Sequence, residues 1–554
     1  MSASSKKKLR KELNAPAMTE KQLQEQKEAK KLRLYTALFG IAIAVMILVV
    51  IVSRILGSGI IPRSTTALTV GDTEISAAEL NHYYIDSVQN FLDSDYGQFA
   101  SLLGLDVSKP LDEQFYNEAE DETWADYFLE QATLSAQNMY ALYNDAQATG
   151  FTLSDEAKAY LDATIEASID NFDLIAAARG FSSADSYISA VYGEGCNKDT
   201  FSHYVEVQIT ASEYAAAKNA SLTYDDAAIR AEDDKDPSVY SSYTYNSYYL
   251  ANSRFYEGGT EDENGNKTYS DEEKEAGRIA AEAAANSLLT ATNVEELDAA
   301  IAALPINAEA TSAASTRQEN TQYASVPALL REWVTGERAA GDIVVIPNES
   351  VSHNHEDGEE CTEENDTTTV SGYYVVLFES MDKNLTNLVD VRHILVSFEG
   401  GTTDSTTGSV TYSDKEKAAA KTKAEEILAA FNAGEKTEEA FGALATEKTT
   451  DSGSKATGGL YEEVYPGQMV PAFNDWCFDS ARKTGDTGIV ETEYGYHVMY
   501  FVDTCETTFR DLMIESTLRN NELSAWETAL IEANKLVIEN TKYVETGLTF
   551  STAS

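Results

Sequence analysis

The sequence predicts an α+β protein with an N-terminal transmembrane helix, a mainly helical region, two α/β domains of one design and a C-terminal helix. Three observations predict this class: an uncharged apolar run of 20 residues, a long stretch with helix-capping signals, and an internal repeat within residues 239–505. With 554 residues the chain exceeds the roughly 100–150 residues of a common single domain. Its hydrophobic content of 43% excludes a fully disordered chain.

The charge is unevenly distributed along the chain. The tail of residues 1–33 holds ten Lys and Arg against four Glu, which gives +6, so the net charge of -51 leaves -57 for the rest. A surface this acidic repels nucleic acid backbone, so no nucleic acid partner is expected. With 4 cysteines the chain is also no disulfide scaffold.

Residues 34–53 form the uncharged apolar run, bounded by Arg33 and Arg54. As a helix this run measures about 30 Å, the thickness of the hydrocarbon core of a bilayer. A cleaved signal peptide would have a shorter apolar region and a small-residue cleavage motif. We therefore expect an uncleaved signal anchor in contact with membrane lipid. The positive-inside rule predicts a single-pass cell-membrane protein with a cytoplasmic amino terminus and an extracytoplasmic bulk.

After a linker over residues 54–66, residues 67–238 predict a mainly helical domain that opens with a short hairpin. Ser76-x-x-Glu79 predicts the start of a helix, and Ser154 and Thr223 predict two further starts. Frequent aromatic residues in this region indicate a helical core, or alternatively a hydrophobic surface for binding clients.

Four pairs of similar segments repeat in the same order, about 123–144 residues apart. Their order predicts a duplicated α/β domain at residues 239–382 and 388–505. The pairs are Thr268–Lys274 with Thr411–Lys417, Val326–Trp333 with Val470–Trp476, Ala340–Asp342 with Thr484–Asp486, and Gly372–Phe378 with Gly495–Phe501.

The second copy resembles the parvulin (PpiC-type, or rotamase) family of peptidyl-prolyl cis-trans isomerases along nearly its whole length. The order of anchor, helical region and parvulin domain also resembles the PrsA/SurA-type extracytoplasmic foldases. The matching segments are Val391–Val396, Ala419–Leu428, Thr450–Leu460, Pro466–Phe473, Thr484–Gly488 and Thr492–His497. One departure is Gly458-Gly-Leu-Tyr461, where the family often has Gly-Gly-Asp-Leu-Gly.

The resemblance implies the site residues of an isomerase that needs no cofactor and no metal. It assigns catalytic roles to His393, Asp451, Thr492 and His497, and a proline-binding pocket to Leu460, Met469 and Phe473. A fixed hydrogen-bond network beside an apolar slot suits the rotation of an Xaa-Pro bond, because no covalent bond is broken. For the paired histidines, a structural role is an equally weighted alternative to direct catalysis.

The implied function is folding assistance for unfolded or partly folded secreted proteins that contain Xaa-Pro bonds. The alternative is a non-catalytic holdase, a chaperone that binds unfolded clients.

The first copy lacks the site groups, which predicts an inactive, degenerate parvulin-like domain. Tyr248 and Tyr374 stand near the histidine positions, Leu329 replaces Phe473, and Ser325 replaces Met469.

Two groups of thiols and histidines remain. His353, His355 and Cys361 could bind a metal, but their acidic surroundings favour a solvated loop. Free, partly buried thiols are the expected state of Cys196, Cys361, Cys477 and Cys505.

The C-terminal segment, residues 506–554, predicts a helix with an apolar stripe at Leu523, Trp526 and Leu530. We expect this helix to pack on the N-terminal helical domain.

Overall fold

The computed structural model describes residues 58–547 apart from 264, 309–312, 354–365 and 406, together with 43, 45–47 and 49. The basic tail 1–33 and most of the predicted span 34–53 therefore lie outside the described residues. The few described residues of that span are helical. Within the described ranges, no helix is both long enough and apolar enough to cross a bilayer.

The α-helices range in length from 5 to 26 residues. They are α1 (Ile60–Ser64), α2 (Ala77–Asp93), α3 (Trp124–Thr149), α4 (Asp155–Arg179), α5 (Ala184–Tyr192), α6 (Lys198–Ser221), α7 (Asp226–Asp233), α8 (Asp271–Ser287), α9 (Val294–Ala302), α10 (Ala328–Val334), α11 (Asp414–Ala433), α12 (Glu438–Lys448), α13 (Pro471–Cys477) and α14 (Phe509–Ala533).

The strands form small antiparallel sheets. They are β1 (Thr66–Val70), β2 (Thr73–Ser76), β3 (Phe115–Asn117), β4 (Glu122–Thr123), β5 (Ser242–Ala251), β6 (Thr260–Glu261), β7 (Lys267–Thr268), β8 (Thr316–Gln322), β9 (Ile343–His353), β10 (Asp366–Asp382), β11 (Asn387–Ser397), β12 (Thr402–Thr403), β13 (Val410–Thr411), β14 (Leu460–Val464), β15 (Thr487–Thr492), β16 (Gly495–Thr508) and β17 (Leu536–Ile538).

The described residues divide into two compact units, one within residues 1–223 and 521–554 and the other within residues 224–520. The mixed α+β class predicted from the sequence is therefore present: helices dominate the first unit, and the second combines helices and sheets in similar amounts.

The first unit is built on helices α2, α3 and α6 around a core of large aromatic side chains, including Trp124, Tyr83 and Phe128. Ser76 caps α2 by accepting the N–H of Glu79, and Ser154 caps α4. The C-terminal chain returns to this unit as a strand, because β17 pairs with β1. No local sequence signal predicted this strand.

The second unit contains two four-stranded sheets of the same design. The first sheet has the order β8-β5-β10-β9 and the second has β14-β11-β16-β15. Both orders place the first and last strands of a copy side by side at the centre. Long helices pack on one face of each sheet, α8 and α9 on the first and α11 and α12 on the second. The short helices α10 and α13 pack on the opposite faces.

A buried arginine joins the parts of this second unit. Arg510, at the start of α14, is 6% exposed. It donates to the carbonyls of Tyr240 at 3.0 Å, Pro237 at 2.8 Å and Lys383 at 3.2 Å, and it pairs with Asp233. A buried guanidinium needs such partners, since an unpaired buried charge is strongly destabilising. Helix α7 ends at Asp233, and its N-cap is Asp225. The sequence had predicted the start of this helix at Thr223.

Candidate active site in the second sheet

Two histidines lie next to each other on the central strands of the second sheet. In the register of β11 and β16, His393 is opposite Met499 and His497 is opposite Leu395. The histidines are therefore diagonal neighbours on one face. Their Nδ1 atoms are 3.0 Å apart, and the rings are nearly parallel with centroids 5.2 Å apart. Since both side chains are buried, the Nδ1 atoms satisfy each other by sharing one proton.

Asp451 closes the network at one end. Its Oδ2 lies 3.0 Å from Nε2 of His393 and accepts the hydroxyls of Ser454 at 2.5 Å and Tyr461 at 3.0 Å. The backbone N–H of Gly453 donates to Oδ1 at 3.1 Å. This number of donors stabilises the ionised carboxylate.

Thr492 closes the other end. Its Oγ1 lies 2.8 Å from Nε2 of His497 and accepts the backbone N–H of Tyr494 at 3.2 Å. Its one hydroxyl hydrogen can point to this imidazole nitrogen or to the carbonyl of Gly495 at 3.4 Å, and the shorter distance favours the imidazole.

The partners at the two ends determine the tautomers of neutral imidazoles. The Asp451 carboxylate only accepts, so Nε2 of His393 carries a hydrogen and its Nδ1 accepts. His497 must then donate from Nδ1, and its Nε2 accepts the hydroxyl of Thr492. The result is one chain of donors that runs from Thr492 through both rings to Asp451.

The protonation states agree with this chain. Burial lowers the pKa of His393, although Asp451 opposes that shift. Burial and the proximity of His393 lower the pKa of His497 to about 4. Burial alone would raise the pKa of Asp451, but hydrogen bonds from Ser454, Tyr461, Gly453 and His393 outweigh it and lower the pKa. At neutral pH the histidines are uncharged and the carboxylate is ionised.

An apolar cluster that includes Phe473 and Met469 lies on the same face of the sheet, where the resemblance places the proline-binding slot. Phe473 of α13 is 2% exposed and stands edge-on to both rings, with centroids 5.5 Å from His393 and 5.3 Å from His497. Met469 packs at the edge of the same apolar cluster. The cluster borders the polar network, so an apolar ring held there would contact the imidazoles.

Leu460 does not lie in the pocket to which the resemblance assigned it. In β14, Leu460 is opposite Arg392 and Tyr461 is opposite Val391. Because strand side chains alternate, Tyr461 projects to the histidine face and Leu460 to the other. The ring of Tyr461 stacks on His393 with centroids 4.9 Å apart. Tyr461 therefore takes the position assigned to Leu460.

Ser454 and Tyr461 are the site residues that sequence reasoning missed. Ser454 follows Asp451 by three residues, a spacing at which a turn returns a hydroxyl to the carboxylate. Tyr461 could have been found by strand alternation from Gly459, once the departure at Gly458-Gly-Leu-Tyr461 was recognised.

The first sheet places different residues at the corresponding points. Ser247, opposite Val376, holds the register position of His393, and Tyr374 holds that of His497. Tyr248, which was expected near the first histidine position, instead projects to the face covered by α8 and α9, since neighbouring strand residues alternate.

The pocket positions of the first copy also need correction. Leu330 is buried in the cluster that corresponds to the slot, whereas Leu329 is 39% exposed. The one-residue difference in length between the two repeat segments moves the match from Leu329 to Leu330. Ser325, expected at the position of Met469, is exposed.

The structure tests the predicted thiols and the metal alternative only in part. Cys196, Cys477 and Cys505 are free thiols. His355 and Cys361 lie outside the described residues, as does the side chain of His353. Over the part of the chain that is described, no cluster of His, Cys, Asp and Glu side chains could hold a metal ion.

The fold and the site define a parvulin-type domain. Residues 374–504 match the family model of the PPIC-type PPIASE domain. This match begins in β10 and ends within β16, and it includes every residue of the hydrogen-bonded network.

The chain also resembles PrsA/SurA foldases. It is 35% identical over 83 residues to foldase protein PrsA 1 of Listeria innocua, covering 15% of this chain and 27% of that protein. It is 44% identical over 69 residues to chaperone SurA of Chromohalobacter salexigens, covering 12% and 15%. The matched part thus spans about a quarter or less of these relatives. The solved structure of PrsA from Bacillus subtilis covers 26% of this chain and 48% of its own, with 26% identity and a TM-score of 0.17.

Proposed function

We propose that the second copy is a peptidyl-prolyl cis-trans isomerase and that the whole chain is a foldase for exported proteins. The observation that carries this proposal is the chain Thr492–His497–His393–Asp451 beside the slot of Phe473 and Met469. The family match and the names of the relatives support the same activity.

The geometry suggests how the site would act. An Xaa-Pro bond rotates over a barrier of about 20 kcal/mol and takes tens to hundreds of seconds unaided. The slot would hold the proline ring while the preceding carbonyl turns. The neutral imidazoles, fixed by Asp451 and Thr492, would offer oriented dipoles to the twisted amide, whose charge distribution differs from that of the planar one. Because the dipoles are oriented in advance, little reorganisation opposes the rotation.

The test is the isomerisation rate of an Xaa-Pro peptide with the full chain in detergent micelles. We expect acceleration by the wild type. Asp451→Asn should lower kcat/KM by at least about tenfold, since a hydrogen bond to a charged group is worth about 1.5–3 kcal/mol. Asp479→Asn, the same change at a half-exposed side chain paired with Arg482, should leave kcat/KM unchanged. An unaccelerated wild-type reaction would reject the proposal.

A holdase activity is the second candidate, and one feature of the first unit favours it. Several large apolar side chains are exposed between residues 96 and 116. Soluble proteins rarely expose a large group of apolar side chains together. The exposed side chains are Tyr96, Phe99, Leu102, Leu103, Phe115 and Tyr116. The test is whether the full chain suppresses the aggregation of an unfolded client. Loss of this suppression when Leu102 and Phe99 are both replaced by Ser would support the holdase activity. Suppression that survives both changes would contradict it.

We also propose that residues 34–53 anchor the chain in the cell membrane, with the basic tail in the cytoplasm. The apolar run and the ten Lys and Arg of the tail before it support this orientation. Extraction of membranes at alkaline pH should leave the chain in the membrane fraction. Release of a chain shortened at its amino terminus would instead indicate a cleaved signal.

A further inference from the structure

A second groove lies within residues 224–520, away from the histidines. Its volume is about 340 Å³. Its lining includes four aromatic side chains together with Leu512 and Met513. The aromatic ones are Tyr240, Tyr323, Tyr465 and Phe509. We call it the aromatic groove. Within it, the rings of Tyr465 and Phe509 are stacked and parallel, with centroids 4.6 Å apart.

Both copies contribute to the aromatic groove. Tyr323 follows β8 of the first sheet, Tyr465 follows β14 of the second, and Phe509 begins α14. No lining residue is charged, in a chain of which 24% of residues are charged. Such a lining offers no ion-pair partner to a charged ligand group and suits an aliphatic or aromatic side chain. The thioether of Met513 can adapt to side chains of different shape.

A short turn connects the aromatic groove with the proline slot. The N–H of Gln468 donates to the carbonyl of Tyr465 at 3.1 Å, and the side chain of Gln468 accepts the N–H of Tyr465 at 3.0 Å. Gly467 donates to the side chain of Asn474 at 2.7 Å, which fixes the turn to the helix that carries Phe473. The turn is therefore held rigidly between the two sites.

The turn also limits the separation of the sites. The Cα atoms of Tyr465 and Gln468 are within about 7 Å, as the ends of a turn, and Met469 follows about 3.8 Å further. Tyr465 thus lies at most about 11 Å from Met469 between Cα atoms. An extended peptide covers this distance in about three residues, at 3.3–3.6 Å each.

We propose that the aromatic groove binds an aliphatic or aromatic side chain of the same client segment, about three residues from the proline held in the slot. It rests on the proposed function, since it requires an Xaa-Pro segment on the second sheet. The continuity with the slot favours this occupant over a second copy of the chain. The first copy, which lacks the histidines, would then serve in client recognition by supplying Tyr323.

Binding of fluorescent peptides to the full chain in detergent micelles tests the proposal. The peptides share one Ala-Pro core and carry Leu or Ser at a single position, scanned from four residues before the proline to four after. For the wild type we expect Leu to lower Kd about tenfold at the position three residues away on one side, and little elsewhere.

Two substitutions fill the aromatic groove without removing its apolar walls. Ser516→Trp and Ala324→Trp replace exposed residues that line it from α14 and from the first copy. Each should abolish the preference for Leu and leave Kd of the Ser peptide unchanged. Ser524→Trp, at an exposed position of the same helix outside the groove, is the matched control and should keep the preference.

The outcomes separate the proposals. Equal Kd values for Leu and Ser at every position, or a preference that survives both groove substitutions, would overturn the groove assignment. If sedimentation shows that the wild type is a dimer and that Ser516→Trp is a monomer, the groove serves self-association instead. Because Kd is measured without catalysis, a preference for Leu in a chain that accelerates no isomerisation would reject only the proposed enzyme. Accelerated isomerisation in a chain that shows no preference for Leu over Ser would reject only the proposed role of the groove.

Discussion

The two sheets of residues 224–520 share a strand order but differ on the face covered by the short helix. In the second sheet that face carries two buried histidines joined to Asp451. In the first sheet Ser247 and Tyr374 hold the same register positions, beside an apolar cluster that includes Leu330. The fold therefore tolerates both an apolar face and a polar network, and the chemistry depends on a few side chains placed on a common scaffold.

The two short helices offer the strongest test of this comparison. Phe473→Ala in the second copy and Leu330→Ala in the first each remove a buried side chain. Unfolding free energies should fall by about 3–5 and 2–5 kcal/mol respectively, as for other large-to-small core changes. Only Phe473→Ala should also lower kcat/KM, by about tenfold to a hundredfold, because it removes the grip on the proline ring. Unfolding profiles and isomerisation rates of the full chain measure both quantities, and an equal loss of kcat/KM in the two variants would erase the distinction.

A pH titration should distinguish the sheets by stability. The pKa of His497 is about 4 in the folded chain, against the ordinary value of 6.5 that applies to the unfolded chain, so the unfolded state binds the proton more readily. The contribution to stability is complete above pH 6.5 and is lost as the pH falls toward 4. At pH 5 the loss is about 2 kcal/mol.

Hydrogen exchange, corrected for intrinsic rates, measures this loss strand by strand. Protection of β11 and β16 should decrease between pH 6.5 and 5. Protection of β5 and β10 should not, since no histidine stands at the corresponding positions, which Ser247 and Tyr374 hold. A parallel decrease in both sheets would show that the loss of stability is not confined to the second sheet.

The smallest expected effect concerns the end of the hydrogen-bond chain. Thr492→Val keeps the shape but removes the hydroxyl that donates to His497, which should lower kcat/KM about two- to tenfold, the value of one neutral hydrogen bond. Asn348 holds the matching register position in the first sheet, where it donates to Ser371 at 3.0 Å. Asn348→Ala should leave kcat/KM unchanged, and a similar loss in this variant would assign activity to the first copy as well.

Sequence reasoning predicted the class of fold and the family of the second copy, because repeated motifs and strand alternation are written in local sequence. Single positions were harder to predict. Leu460 and Leu329 were each displaced by one residue, and such a shift moves a side chain to the opposite face of a strand or out of the buried stripe of a helix. The prediction that Tyr248 stands near the first histidine position was wrong for the same reason.

Other features depend on contacts between distant segments. Strand β17 forms only because β1 offers a free edge far earlier in the chain, as shown by the pairing of Leu68 with Ile538. The groove beside Tyr465 requires residues from both copies. Neither pattern is visible in a local window of sequence.

The central claim is that the proline of a client binds on the histidine face of the second sheet. Methyl NMR of the full chain, labelled at methionine, tests it most directly during titration with an Ala-Pro peptide. Met499 lies opposite His393 and Met469 borders the slot, whereas Met381 lies at the end of β10 in the first sheet. The methyl signals of Met469 and Met499 should shift to saturation while that of Met381 stays in place. Saturation that shifts Met381 and leaves Met469 and Met499 unmoved would contradict the assignment.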